Sequence, residues 1–261
     1  MKSSLIDTIF LSEKRKNLLL LLDESPKNSE EIKKSLNVTS TSIMPQIKKL
    51  TDGELVIKKE GLYKLSELGE LIVEKMRPLL DTLKIIEENH EYWANRDLES
   101  IPRHLLSRID ELDDCEIIEP ELNSMFEPVK EVVDNLLLSR DVKMVSAFFR
   151  PNYPTLFKQL VENGAIISLI LTESVFNRFR NDYEEELQLF LDSENTSLFI
   201  CNCDLKFASS ITERFMSMAL FYKSGIFDYR QLITFNDSAL IWGNELFSYY
   251  RQKSKEVTSL Y

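Results

Sequence analysis

Residues 28–65 read NSEEIKKSLNVTSTSIMPQIKKLTDGELVIKKEGLYKL, and this stretch decides the fold of the amino-terminal part of the chain. Its polar beginning predicts a short helix, and residues 41–52 predict a second helix after a turn. Residues 55–65 then predict two short strands joined at Glu60-Gly61, which suits a tight hairpin. Helix, turn, helix and hairpin in this order predict a winged helix-turn-helix.

Pro45 indicates where the second of these helices is expected to begin. A proline is tolerated in the first turn of a helix, because its missing N–H has no intrahelical partner there. With Thr41 or Ser42 as the N-cap, Pro45 falls in that first turn. Ile43 and Ile47 then lie on one face and are expected to pack inward.

Charge is divided unevenly along the 261 residues, whose formal net charge is −11. Residues 1–80 carry 14 Lys and Arg against 12 Asp and Glu, a net charge of +2, whereas the remainder carries 18 against 31, a net charge of −13. An acidic body repels the DNA backbone and favours docking through the first 80 residues. Because +2 is a small charge, a monomer is expected to bind DNA weakly, which favours a homodimer on two half-sites.

Double-stranded DNA is the predicted partner of this amino-terminal region. The second helix of a helix-turn-helix enters the major groove, and side chains near its amino terminus reach the base edges. Short hydroxyl and amide groups suit base reading, and lysines suit phosphates. The predicted DNA-binding residues are Ser40, Thr41, Ser42, Gln46, Lys48, Lys49, Lys58 and Lys59. The alternative is a winged helix that is used only for protein-protein contacts.

Beyond the hairpin, the pattern predicts a linker and a second domain. A long helix with an apolar stripe begins after Ser66, and Pro78 is expected to kink or divide it. Near-continuous apolar strands then alternate with helices, which indicates a sheet covered on both faces. The predicted class is α+β, with a winged helix at 1–66, a linker or dimerisation helix at 67–97, and a mixed α/β effector-sensing and dimerisation domain at 98–261.

Two parts of the chain resemble an archaeal family of transcriptional regulators common in methanogens, of the filamentation and methanogenesis regulator type. The first comprises LNVTSTSIMPQIKKL at 36–50 and LVIKKEGLYKLSELG at 55–69. The second is the carboxy-terminal run 225–254, in which a Gly-x-Phe-Asp hairpin precedes an Ala-x-x-Trp-Gly helix. The resemblance implies an amino-terminal winged helix joined to an effector domain, with no agreed effector. Related archaeal sensor domains imply a sheet like half of a phospholipase D fold.

Catalytic chemistry is not indicated. The chain has two histidines, His90 and His104, and neither lies in the His-x-Lys motif of phospholipase D. Glycine-rich phosphate loops, G-x-S-x-G and H-E-x-x-H are also absent from the sequence. We therefore expect a regulator that is not an enzyme and needs no metal or cofactor. A degenerate hydrolase with an appended winged helix is the alternative.

A small-molecule effector is expected to meet aromatic and arginine side chains in the second domain. The candidate ligand-binding residues are Phe149, Arg150, Tyr153, Phe227, Arg230 and Trp242. The alternative interpretation is an aromatic-rich core with arginines at the surface.

Three cysteines bear on the cellular compartment. Cys201 and Cys203 are expected to be too close for an ordinary disulfide, and Cys115 would remain unpaired, which indicates structural thiols and a reducing interior. Redox or metal sensing is the alternative. The apolar run 18–22 is too short to span a membrane. The protein is therefore expected to be cytoplasmic, with no membrane partner.

Overall fold

The computed structural model describes residues 4–120 and 129–260, which form two compact units. The first unit is Met1–Asp81 and the second is Thr82–Tyr261. The first unit contains helices and a two-stranded hairpin. In chain order these are α1 (Leu5–Phe10), α2 (Glu13–Glu24), α3 (Ser29–Ser35), α4 (Ser40–Asp52), β1 (Val56–Lys59), β2 (Leu62–Leu65) and the beginning of α5 (Glu67–Glu88).

The start of α4 differs from the sequence-based expectation. Its N-cap is Thr39, so the helix begins at Ser40 and Pro45 lies in its second turn rather than in the first. The backbone N–H groups of Ser42 and Ile43 both donate to the Thr39 carbonyl at 3.1 Å, and the Ser42 hydroxyl donates to it at 3.0 Å. These bonds close a turn ahead of the predicted cap, and the helix continues through Pro45.

The hairpin β1–β2 forms the predicted wing. Glu60 (φ 53°) and Gly61 (φ 83°) both have left-handed backbones, which is the requirement of a two-residue type I′ turn. The backbone of Tyr63 in β2 also exchanges two hydrogen bonds with Lys27, which precedes α3. The wing is thereby attached to the helical part of the unit.

Helix α5 begins against the base of the wing. The Ser66 hydroxyl accepts a hydrogen bond from the Gly69 backbone at 3.0 Å and donates to the Glu54 carbonyl. A side chain at Gly69 would approach the Leu55 carbonyl oxygen to 2.1 Å, so only glycine fits there. The helix then runs to Glu88, and Pro78 does not divide it.

The second unit contains an eight-stranded mixed sheet. Its strands are β3 (Glu116–Ile118), β4 (Asp141–Ser146), β5 (Ile166–Thr172), β6 (Thr196–Cys201), β7 (Phe207–Thr212), β8 (Met216–Leu220), β9 (Gln231–Thr234) and β10 (Ser254–Val257). The spatial order is β10-β6-β5-β4-β7-β8-β9-β3. Strands β4, β5 and β6 pair in parallel, and the other pairings are antiparallel.

Helices cover both faces of this sheet, as expected. They are α6 (His90–Ala94), α7 (Arg103–Leu106), a 3₁₀ turn at Ile109–Leu112, α8 (Lys130–Leu137), α9 (Tyr153–Glu162), α10 (Glu173–Asp182), α11 (Glu184–Asp192) and α12 (Asp237–Arg251). Neighbouring residues of β5 belong to different cores: Leu169 packs with α8–α11, and Ile170 packs with α6, α7 and α12. The predicted class, α+β with a mixed sheet, is confirmed.

Strand β7 lies at the centre of the sheet but was not predicted from the sequence. Its sequence, FASSIT, has no apolar run and no strict alternation. Every residue of β7 is nevertheless buried, and the Ser209 hydroxyl donates to the Ser217 carbonyl of β8 at 2.9 Å. Because buried hydroxyl groups take the place of apolar side chains in β7, a search for hydrophobic patterns does not detect this strand.

The cysteine expectation is wrong, because the structure joins Cys201 and Cys203 in a disulfide. Cys201 is the last residue of β6, and the chain leaves the strand at Asn202. The two Cα atoms are consequently 5.4 Å apart, which lies within the range of ordinary disulfides. Cys115 is a free buried thiol, and burial raises its pKa to about 11. Cysteine spacing thus gives no support for a reducing compartment.

Two classes of feature are not found in residues 4–120 and 129–260. Helices in these ranges are too short or too polar to cross a membrane. The same ranges contain no cluster of three His, Cys, Asp or Glu side chains arranged to hold a metal ion.

Gly243 allows α12 to pack closely on the sheet. A Cβ at this position would lie 2.8 Å from the Met216 sulfur and 2.9 Å from Ile211 Cγ1.

We predict that Gly243→Ala lowers the free energy of unfolding by about 1–3 kcal/mol, because the buried contact must open. Urea denaturation measures this loss. Ser248→Ala, on the exposed face of α12, should change stability by less than about 0.5 kcal/mol. Equal stability of the two variants would contradict the close packing of Gly243 on the sheet.

Candidate nucleic-acid interface

Helix α4 has one buried face and one exposed face. Ile43, Ile47 and Leu50 are buried in the core of the first unit. Most of the predicted DNA-binding positions on this helix are exposed. They are Ser40, Thr41, Lys48 and Lys49.

The amino terminus of α4 presents hydroxyl groups in different states. The Thr41 hydroxyl lies 3.0 Å from that of Thr39, and both residues are exposed. Ser42 is half-buried and its hydroxyl donates to the Thr39 backbone, so it is occupied within the helix. The exposed hydroxyls at this end of α4 are those of Thr39, Ser40 and Thr41.

Gln46 is turned toward the protein. Its side-chain oxygen accepts a hydrogen bond from Arg15 Nη1 at 2.7 Å, and Gln46 is half-buried. Arg15 is itself 7% exposed and also donates to the carbonyls of Thr8 and Asp7. This arginine, in α2, thus connects α1 to α4. Sequence reasoning missed it, because Arg15 lies in the charged run EKRKN and resembles its solvent-exposed neighbours.

The wing places Lys58 and Lys59 at the exposed end of β1. The Lys58 ammonium lies 5.0 Å from the centre of the Tyr63 ring. Among the residues that the structure describes, no carboxylate lies within 4.0 Å of the four lysines predicted to contact DNA: Lys48, Lys49, Lys58 and Lys59. By contrast, Lys16 and Lys33 each pair with a glutamate on their own helix.

The structure does not bring the six predicted ligand-binding residues together. Phe149 and Tyr153 pack with α9 and α10 on one face of the sheet. Trp242 is fully buried on the other face, where its Nε1 donates to the Leu105 carbonyl at 2.9 Å. Phe227 belongs to a third, smaller cluster.

The two predicted arginines have different surroundings. The Arg150 guanidinium is 1% exposed and lies 5.6 Å from the centre of the Phe227 ring. Arg230 Nε donates to Asp228 at 2.9 Å, and its Nη2 donates to the Tyr222 hydroxyl at 3.1 Å. Both arginines serve contacts within the second unit.

Asp228 accepts from a second arginine that the sequence did not single out. Arg96 is fully buried, and its Nη2 donates to the same Asp228 oxygen. The Arg96 guanidinium lies between the rings of Tyr92 and Tyr222, with centroid distances of 4.2 and 4.1 Å. No sequence pattern signals this cluster, because Arg96 and Asp228 are 132 residues apart.

Comparison with protein families gives two matches along the chain. Residues 3–84 match the N-terminal domain of the methanogenesis regulatory protein FilR1, and residues 125–253 match its middle domain. The curated FilR1 of Methanothrix harundinacea is 28% identical over 254 residues, covering 94% of this chain and 56% of that protein. The chain thus spans about half the length of this relative.

A shorter similarity concerns the amino-terminal unit. The HTH-type transcriptional activator ArnR1 of Sulfolobus acidocaldarius is 38% identical over 64 residues, which is 24% of each protein. The related activator ArnR of the same organism is 30% identical over 92 residues, 35% of this chain and 34% of that protein.

Among solved structures, the archaeal chromatin protein TrmBL2 has 12% identity and a TM-score of 0.44, with 97% of each chain covered. A phospholipase D family member, Nuc from Salmonella typhimurium, has 12% identity and a TM-score of 0.39, covering 56% of this chain and all of that one. These values are too low to bear on function. The two domain matches and the named relatives agree with the fold, and the chain belongs to the FilR1 family of archaeal transcription regulators.

Proposed function

We propose that this chain is a sequence-specific regulator that binds double-stranded DNA through α4 and the wing, as a homodimer. In this proposal, the unit Thr82–Tyr261 senses a small molecule and contributes to dimerisation. The domains would be those expected from the sequence: a winged helix at 1–66, a linker helix at 67–97 and a sensor at 98–261. Because DNA is the proposed partner, the cytoplasm is the proposed site of action.

The observation that carries the DNA proposal is the set of exposed cations on α4 and the wing. Lys48, Lys49, Lys58 and Lys59 are exposed and have no salt bridge among the described residues. Unpaired lysines neutralise phosphates without first breaking a protein ion pair.

Base reading is proposed for the hydroxyls of Ser40 and Thr41 at the amino terminus of α4, since residues at this end reach base edges. Ser42 and Gln46 are proposed to act differently. Ser42 holds the first turn together, and Gln46 is held by Arg15. Both would position α4 on the DNA, and Gln46 would meet a base only after releasing Arg15.

We predict that replacing Lys48, Lys49, Lys58 and Lys59 together by alanine weakens DNA binding and makes it less sensitive to salt. Each lost phosphate contact reduces the magnitude of the negative slope of log K against log salt by about 0.9, so the loss of four contacts in each of two protomers should reduce it by about 7. Fluorescence anisotropy measures both the DNA affinity and its salt dependence. The probe is DNA from upstream of the chain's own coding sequence, and KCl is varied from roughly 50 to 300 mM, a range in which counterion release dominates.

The matched control for this quadruple variant removes the same charge from exposed lysines elsewhere. It is the alanine variant of Lys130, Lys158, Lys253 and Lys255. This variant should retain the slope of the unmodified protein, apart from a small change common to any loss of net charge. If both variants bind with an unchanged slope, the proposed DNA surface is wrong.

The homodimer is proposed to form along α5. Four leucines on this helix are about half exposed, at spacings of three, four and eight residues. They are Leu68 (54%), Leu71 (54%), Leu79 (49%) and Leu83 (42%). Apolar side chains at such spacings form a stripe on one side of a helix, and a second copy of the same helix supplies a matching stripe.

We predict that Leu79→Lys combined with Leu83→Lys yields a monomer at concentrations where the unmodified protein is dimeric, because two lysines would be buried against each partner. Sedimentation velocity measures the mass. Leu138→Lys, at an isolated leucine that is 66% exposed, is the control and should remain dimeric. A monomeric unmodified protein would refute the dimer, and a dimeric double variant would place the interface elsewhere.

The second unit is proposed to be a sensor rather than a hydrolase. His90 and His104, the only two histidines of the chain, are both exposed and lie on different helical segments. General acid-base catalysis requires such groups to be positioned against a bound substrate. Turnover of a chromogenic phosphodiester by the purified protein would contradict this proposal.

A further inference from the structure

Unpaired polar atoms are concentrated in one short segment of the second unit. Three buried side-chain nitrogen atoms of Trp93 and Arg96 have no hydrogen-bond partner among the described residues. They are Trp93 Nε1, and Nε and Nη1 of Arg96. Buried donors are normally satisfied, because an unmade hydrogen bond costs more than a made one contributes.

Positive charge is in excess at the same place. Arg96 and Arg230 both donate to Asp228, which supplies a single negative charge. Glu119 lies 3.6 Å from Arg230 but its side chain is 72% exposed, so solvent screens it. Arg96 is fully buried, and its guanidinium retains two free donor groups. A buried cation in this state is complementary to an anionic partner.

A cavity of about 810 Å³ adjoins this segment. Trp93 and Arg96 border it, together with apolar side chains such as Ile101 and Leu106. Four cationic residues line it, against the two acidic residues Asp97 and Glu99; the cations are Arg96, Arg103, Lys206 and Lys223. Two of these cations, Arg103 and Lys223, have no salt bridge among the described residues, although residues 81–261 carry a net charge of −13. The volume of the cavity lies in the range of small-molecule sites.

Lys206, Lys223 and Arg103 differ in the number of contacts that they make with the rest of the protein. Lys206 pairs with Asp97 at 2.9 Å and Asp204 at 3.2 Å, and Lys223 Nζ donates to the Ala94 carbonyl at 2.8 Å. Arg103 and Lys223 are exposed and therefore have donor capacity for a ligand, whereas Arg96 and Trp93 are buried.

We propose that this cavity binds a small organic anion, with a carboxylate or phosphate group directed toward Arg96 and an apolar part against Trp93, Ile101 and Leu106. A guanidinium suits both groups, because its fork of N–H donors matches two oxygens. The site is distinct from the aromatic residues that the sequence suggested for a ligand. It also lies mostly in residues 85–124, between the two stretches that match FilR1 domains.

The bound anion is the effector of the proposed regulator, and this part of the inference rests on the proposed function. Residues 94–97 are attached to the end of β8 by backbone hydrogen bonds, from Asp97 to Phe221 and from Lys223 to Asn95. The same residues lie at the end of α6, which follows α5 in the chain. An anion that occupies the cavity would therefore stabilise the segment that is bonded to the end of β8.

Isothermal titration calorimetry of the full chain at constant ionic strength tests the site. One series of probes is orthophosphate, pyrophosphate and adenosine monophosphate, and the other is acetate, succinate and benzoate, with chloride as the reference. We expect saturable 1:1 binding within one series, and the tighter series identifies the chemical group. Binding no tighter than that of chloride in both series overturns the proposal.

Variants locate the binding. Arg103→Gln combined with Lys223→Gln should weaken binding at least about tenfold, because two charge-assisted contacts are lost. Lys158→Gln combined with Lys255→Gln removes the same charge from exposed positions outside the cavity and should bind as the unmodified protein does. Equal weakening in both double variants would indicate a general charge effect and overturn the site.

Fluorescence gives a second readout that does not need an altered arginine. The chain has two tryptophans, Trp93 at the cavity and the fully buried Trp242. Anion binding should change the emission of the unmodified protein, and Trp93→Phe should abolish this change. An unaltered response in Trp93→Phe would place the anion elsewhere and overturn the proposal.

The outcomes separate this inference from the proposed function. Anion binding without DNA affinity would refute the regulator and leave the anion site intact. DNA affinity without anion binding would refute the site and leave the regulator intact. If both bind, succinate or orthophosphate at saturation should shift the DNA dissociation constant at least about threefold, since coupling between sites is typically about fivefold or more. An unchanged constant would overturn the effector role.

Discussion

A buried guanidinium must be matched by acceptors, and each unit of this chain contains one whose partners connect several elements. In the first unit, Arg15 joins the carbonyls of Asp7 and Thr8 to the Gln46 side chain. In the second, Arg96 is held by Asp228 and by two tyrosine rings. Removing Asp228 from the buried Arg96–Asp228 pair should cost about 3–5 kcal/mol, because the Arg96 charge is left without compensation.

These two arginines differ in how completely they are satisfied, and this difference bears on function. Arg15 bonds through three nitrogens, so it fixes the inner side of α4 and leaves the outer side to solvent. Arg96 bonds through one nitrogen and keeps two donors unpaired. The first arrangement is consistent with the proposed DNA-binding surface, and the second with the proposed anion site.

Much of the fold followed from local patterns. The wing was predicted from two short apolar runs around Glu60-Gly61, and its turn has the left-handed backbones that such a pair favours. A sheet covered on both faces was predicted because near-continuous apolar runs, such as those of β5 and β6, alternate with helices. Strand β7 was missed because its buried hydroxyls bond within the sheet, and the start of α4 was misplaced because Thr39 accepts the first helical bonds. Local sequence patterns thus predict individual helices and strands well, but they do not predict which polar groups each element bonds to.

The sequence by itself determined the class of the protein. Helical spacing, the hairpin dipeptide and the separation of charge between residues 1–80 and the remainder are local or additive properties, so they can be recognised along the chain. Only the tertiary structure decided which polar groups are free. Gln46 faces Arg15, Cys201 joins Cys203, and Arg96 meets Asp228 across 132 residues, because hydrogen bonds and ion pairs depend on distances that folding alone establishes.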